Sequence, residues 1–160
     1  GEGEEGEAPN RTVIVLAATN TPWDLDEALR RRLEKRVYIP LPDQGSRAEL
    51  FRLNMREVAT SSDVDYEELA AKTAGYSGAD VANVCRDASM MSVRRLMEQA
   101  RKQGLSKAAM QAMLKEQRES FATCAISRDD FLLAISKVNK SVSDTDLGRF
   151  QEWMDEFGSA

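Results

Sequence analysis

Histidine is absent from this 160-residue sequence, and cysteine is confined to two distant positions, Cys85 and Cys124. Without an imidazole, no histidine-based catalytic triad can be built. Two cysteines outside CxxC spacing, with no histidine to help them, also exclude a zinc site of the Cys/His type. They read as reduced thiols. No apolar run approaches the roughly 20 residues of a membrane span, and no secretory leader opens the chain. Also missing are a GxxxxGK[ST] phosphate loop, an apolar run ending in paired acids that would hold Mg²⁺, and a Gly-x-Ser-x-Gly elbow. A basic surplus is lacking as well. With 22 Lys and Arg against 27 Asp and Glu, the net charge is −5, which argues against a nucleic-acid-binding domain. The first residue is Gly rather than Met, and the sequence reads as a piece of something longer.

What is present is ordinary for a soluble globular protein: 42% hydrophobic and 31% charged residues, in a length that suits one domain or one and a half. Gly1–Asn10, GEGEEGEAPN, has almost nothing to bury and reads as a solvated acidic loop. Thr12–Ala18, TVIVLAA, is the continuous β-branched run of a strand buried on both faces. Asn20 follows at its carboxyl end, where open α/β sheets bind ligands. Asp24 with Glu27 predicts a helix start, and Leu25, Ala28, Leu29 and Leu33 form its apolar face. Arg30, Arg31 and Arg32 close that helix, and Arg36–Pro40 predicts a second short strand.

From Asp43 onward the pattern is helical. Ser46 with Glu49 predicts a start for a helix facing inward through Leu50, Leu53, Glu57 and Val58. Asp65 with Glu68 predicts the next, with Leu69 and Thr73 inward. Ser77 with Asp80 forms a capping box for the longest helix, whose Val81, Val84, Cys85, Ala88 and Met91 follow the i, i+3, i+4, i+7 rhythm. Arg101–Glu119 reads as a weak helix. Ser127 with Asp130 opens a helix through Phe131, Leu132, Ile135 and Val138. Ser143 with Asp146 opens a last one through Leu147, Phe150, Met154 and Phe157, with Trp153 beside the stripe.

Three places can carry chemistry. Asn20 can orient water or phosphate, although Asn-Thr-Pro is also an ordinary turn. The arginine triplet suits phosphate oxygens and, supplied in trans, stabilises charge developing on a γ-phosphate; a single arginine there would be only a solvated helix end favoured by the dipole. GYSGAD, Gly75–Asp80, is first a capped turn, but Gly78 and Ala79 leave room for a planar ring.

These pieces, in this order, resemble the second half of an AAA ATPase module of the meiotic clade, most of all its katanin family of microtubule-severing ATPases. The resemblance is carried by LAATNTPWDLDEALRRRLEKRVYIPLP (Leu16–Pro42), GYSGADVANVCRDASMMSVRR (Gly75–Arg95) and KVNKSVSDTDLGRFQEWMDEFGSA (Lys137–Ala160). It covers Thr12–Lys102 and Ser127–Ala160 and is weakest over Gln103–Ile126. It implies an α/β fragment that is mainly α. A loop at 1–11 leads into the last strands and helix of the AAA large α/β domain (12–42). The helical lid domain (43–140) and a C-terminal helix (141–160) follow. It implies that Asn20 is sensor 1, that Arg31 and Arg32 are arginine fingers reaching the nucleotide of the adjacent protomer, and that Leu50, Asn54, Gly78 and Ala79 contact adenosine. The cofactor is then ATP, with Mg²⁺ held by residues outside this chain and no metal ligand within it. The implied partners are neighbouring AAA protomers in a hexamer, tubulin or microtubules, and the regulatory subunit of katanin, with neither nucleic acid nor membrane. The implied location is the cytoplasm, on the microtubule cytoskeleton. Two alternatives stay open: a vacuolar-sorting or spastin/fidgetin-type ATPase, and a non-catalytic AAA-derived assembly module. Lacking the phosphate loop and the Mg²⁺ motif, the fragment by itself is expected to be inactive.

Overall fold

The computed structural model describes residues 12–109, 111–112 and 125–159. The acidic segment 1–11, Cys124 and residues 110 and 113–119 of the weak helix expected at Arg101–Glu119 lie outside the described residues. The described elements are a 3₁₀ turn at Pro22–Asp24 and six named helices: α1 Glu27–Arg32, α2 Gln44–Asn54, α3 Tyr66–Lys72, α4 Gly78–Lys102, α5 Arg128–Lys137 and α6 Asp144–Phe157. The architecture is thus mainly α, as the sequence implies. The chain divides into two units: Tyr38–Arg149, and the residues up to Val37 together with those from Phe150 onward.

The larger unit holds a packed core. Phe51 of α2, Leu69 of α3, Val81, Val84, Cys85 and Ala88 of α4, Ile126, and Phe131 and Ala134 of α5 are buried against one another. All five apolar positions read from the α4 rhythm, Met91 included, are buried. Phe51 meets Phe131 edge to face, with ring centroids 6.1 Å apart, a favoured arrangement of aromatic quadrupoles. Around Ile126 the chain is tied back by an isolated parallel bridge to Thr60, with Ser61 N donating to Ile126 O at 2.9 Å and Ile126 N to Ala59 O at 3.0 Å.

Three of the expected caps form as full reciprocal boxes in this unit. Ser77 and Asp80 exchange hydrogen bonds at the start of α4, and Ser127 and Asp130 do so at the start of α5. Ser143 and Asp146 make the same exchange at α6. Asp65 caps α3 by accepting from Glu67 N, and Thr73 is buried as expected. In each case the cap side chain satisfies amide protons that the first helical turn leaves without partners.

Five expectations need correction. The cap of α2 is Asp43, which accepts from Ser46 N, so that helix starts earlier than Ser46 implies. Its buried residues are Arg47, Ala48 and Phe51; Leu50 and Val58 pack against the core as expected, while Leu53 is exposed and the helix ends before Glu57. At α1 the cap is Asp26, accepting from Ala28 N and Leu29 N. Asp24 instead belongs to the 3₁₀ turn that Pro22 initiates, which delays the helix. No residue of α1 is buried, so the apolar face expected of it has no core to face. Finally, Thr12–Ala18 and Arg36–Pro40 join no sheet among the described residues. Val13, Ile14, Val15 and Leu16 are 73–95% exposed, and Val37 and Ile39 about as much. Strand pairing is non-local, and no described segment offers these two a ladder of backbone partners.

The smaller unit is organised by side chains rather than by a core. Trp23, in the 3₁₀ turn, packs on Phe150 of α6 with ring centroids 5.1 Å apart. Arg30 lies over the Phe157 ring, 4.4 Å from its centre, within cation–π range. Trp153 stacks beside Phe157 at 5.5 Å.

Candidate functional site

The candidate residues fall into two groups, one in each unit. In the smaller unit, Asn20 is exposed at the bend that follows the apolar segment 12–18. Thr21 N donates to Thr19 Oγ1 at 3.1 Å, so the turn is held locally and the Asn20 side chain is left facing solvent. The arginine triplet occupies the last turn of α1, the end at which the helix dipole favours cations. Its three members are not equivalent. Arg30 is engaged by Phe157. Arg31 is exposed and paired with Glu27 one turn back. Arg32 is exposed and has no ion-pair partner among the described residues. The two arginines implied as fingers are therefore the two whose guanidinium groups reach solvent, while the third is held against an aromatic ring.

In the larger unit, α2 and the start of α4 come together. A β-carbon placed on Gly78 would stand 3.8 Å from Leu50 Cδ1, at ordinary contact distance. Ala79 beside it is exposed. Asn54 turns its amide back along its own helix and donates to Leu50 O at 2.8 Å. Leu50 and Gly78 thus meet, with exposed Ala79 next in sequence, and their small apolar surfaces suit the face of a planar ring. Three of the four residues implied for adenosine contact are brought together in this way; Asn54 joins them through its hydrogen bond.

The turn that presents Gly78 is closely specified. Gly75 adopts φ +81°, a left-handed conformation that side chains disfavour. Tyr76 is buried and donates to the carbonyls of Ile135 and Val138. Asp80 is 3% exposed and accepts from Ser77 N at 2.9 Å, Ser141 N at 3.1 Å and Ser141 Oγ at 2.9 Å. Burial by itself would raise the Asp80 carboxyl, but the hydrogen bonds from Ser77 and Ser141 together hold it below the usual aspartate range. Further along α4, burial pushes the Cys85 thiol up to about 12, so this cysteine is an inert packing residue rather than a nucleophile.

Sequence reasoning missed Arg36 and Ser159. The Arg36 guanidinium donates to the carbonyls of Arg30 and Phe157. Ser159 Oγ accepts from Arg36 N at 3.0 Å and donates to Glu34 O at 2.9 Å. The only signal was a lone arginine opening an apolar segment. Arg47 was missed too; it is buried where an apolar residue would be expected.

Comparison with known proteins places these features in one lineage. Residues 2–41 match the AAA family (ATPases associated with various cellular activities), residues 63–107 the AAA+ lid domain, and residues 102–158 the Vps4 C-terminal oligomerisation domain. The katanin p60 A-like 1 ATPase of Danio rerio is 54% identical over 159 residues, 99% of this chain and 31% of that protein. Its Homo sapiens counterpart is 51% identical over 156 residues, 98% of this chain and 30% of that protein. A structure solved for katanin self-assembly superposes with a TM-score of 0.69 at 39% identity, over 86% of this chain and 45% of that one. The FIGL-1 AAA domain does so with a TM-score of 0.74 at 31% identity, over 95% and 46%. The chain belongs to the AAA ATPases, in their katanin-like branch. It spans less than a third of the length of the curated relatives it matches.

Proposed function

We propose that this chain is the part of a katanin-like ATPase that completes two nucleotide sites. Asn20 acts as sensor 1 on the ATP of its own protomer, orienting the attacking water. Arg31 and Arg32 act on the ATP of the neighbouring protomer, stabilising charge that develops as the γ-phosphate leaves. Leu50, Asn54, Gly78 and Ala79 receive the adenosine, and α6 supports assembly into a ring of AAA protomers. ATP supplies the phosphoryl group with Mg²⁺ held by residues outside this chain. The domain limits follow: the end of the large α/β domain at 12–42, preceded by the segment 1–11, then the lid at 43–140 and the C-terminal helix at 141–160. The complete protein uses hydrolysis to sever microtubules in the cytoplasm, partnered by the regulatory subunit of katanin. The observation that carries this reading is the exposure of Arg31 and Arg32 at the end of α1 in a chain more than half identical to katanin-like relatives along almost its whole length.

The test is turnover in the complete ATPase containing this chain. Arg31→Ala and Arg32→Ala should each cut kcat by about 10³ and leave ATP binding nearly unchanged. Normal turnover in both would end the assignment. The chain by itself should neither hydrolyse ATP nor bind it with micromolar affinity, because it contains no phosphate loop. Calorimetry showing micromolar binding would contradict that.

A further inference from the structure

Helix α1 has six residues, none of them buried. A helix this short is far below the length that is stable alone, and no core holds it in place. What holds it is a set of contacts from the end of α6. Arg36 donates one guanidinium nitrogen to Arg30 O in the last turn of α1 and another to Phe157 O at the last residue of α6. Both carbonyls belong to the group that a helix end leaves without partners, and a cation is favoured at both ends by the dipole. Ser159 fastens the same place from the other side, accepting from Arg36 N and donating to Glu34 O. Arg30 covers the Phe157 ring.

We propose that Arg36 is the positioning residue of the arginine pair: its single planar fork joins the carboxyl ends of α1 and α6 and so sets the direction in which Arg31 and Arg32 leave the helix. This rests on the finger role proposed for Arg31 and Arg32. Arg36 itself touches no nucleotide. A guanidinium can serve two carbonyls in fixed directions, whereas an ammonium on a flexible stem keeps the charge without the fork. Loss of the fork leaves both arginines present but misdirected. Misplacement by about 1 Å at a reacting centre costs on the order of 100-fold in rate.

The experiment uses the complete ATPase. Arg36→Ala should lower kcat about 10- to 100-fold with KM for ATP unchanged and ring assembly, followed by mass photometry, intact. Arg36→Lys should recover only part of the loss. Ser159→Ala, which removes only the bonds to Arg36 N and Glu34 O, should lower kcat in the same sense but by less. The decisive arm is epistasis. Added to Arg31→Ala/Arg32→Ala, Arg36→Ala should have no further effect, because it acts through them. A further multiplicative loss, full activity in Arg36→Ala, or full rescue by Arg36→Lys would overturn the proposal. If Arg31→Ala/Arg32→Ala is itself fully active, the finger reading fails instead, and that outcome is seen before Arg36 is changed.

Discussion

Buried Arg47 grips the carbonyl of Ala70 with two of its nitrogens, Nε at 3.2 Å and Nη2 at 2.9 Å, while Nη1 holds Pro42 O at 2.7 Å. Ala70 lies in the last turn of α3, so a charge from α2 closes the end of the next helix. Arg47→Met keeps the volume but takes the charged donor from the part-buried Pro42 carbonyl and leaves Ala70 O to Thr73 N and Oγ1 alone. Hydrogen bonds to charged groups are worth about 1.5–3 kcal/mol. The variant should therefore lose about 2–4 kcal/mol in urea unfolding, and an unchanged midpoint would show that the grip is incidental.

The acid limb of stability should depend on Asp80. Its carboxyl is held below the ordinary value of 3.8, since the hydrogen bonds from Ser77 and Ser141 outweigh the opposing effect of burial. A depressed acid contributes stability above its unfolded pKa and loses it as pH falls through the folded one. Asp80→Asn should thus be less stable than the parent at pH 7, and the gap should close as pH falls below about 4. Glu68, lowered chiefly by its hydrogen bond with Arg128, acts in the same sense. A gap that does not narrow on acidification would contradict the ionised staple.

Two glycines three residues apart should respond in opposite ways. Gly75→Ala places a side chain at φ +81° and within 2.9 Å of Lys140 Nζ; it should cost about 1 kcal/mol or more in unfolding free energy. Gly78→Ala meets only Leu50 at contact distance and should leave stability within about 0.5 kcal/mol of the parent. In the complete ATPase, Gly78→Val should nonetheless weaken ATP binding, because bulk then occupies the surface proposed for adenine. Unaltered affinity would remove Gly78 from the site.

The Arg31–Glu27 pair is exposed on both sides, and such pairs hold weakly. Glu27→Gln in the complete ATPase should therefore change turnover by no more than about fivefold. A larger gain would mean that Glu27 restrains Arg31 rather than merely accompanying it.

Asn20→Ala in the same protein should reduce turnover more than nucleotide affinity, as befits a group that orients water. Equal loss in both would recast Asn20 as a binding residue.

What could be read from the sequence was what is decided within a turn or two of chain. The boxes Ser77/Asp80, Ser127/Asp130 and Ser143/Asp146 are local, and so is the α4 stripe. Where a local signal had a competitor, reading failed. Pro22 drew Asp24 into a 3₁₀ turn and passed the cap of α1 to Asp26. Asp43 took the cap of α2 ahead of Ser46. The segments 12–18 and 36–40 have strand composition, but pairing depends on a partner elsewhere. Of the candidate site, the residue types of Arg31, Arg32 and Gly78 were legible. The contacts of Arg36 with Phe157 and Ser159 span more than 120 residues, and no local pattern announces them.

The Asp80–Ser141 hydrogen bonds join positions 61 residues apart, bracketing α4 and α5. Those helices are already packed through the Val84, Phe131 and Ala134 cluster. A contact of that span closes a large loop of chain, and the entropy of closing it grows only by about 0.6 kcal/mol per doubling of length. The seat of Gly78 is therefore written in two distant places at once, in the Ser77–Asp80 turn and in Ser141, so a change at Ser141 reaches Gly78 without touching it.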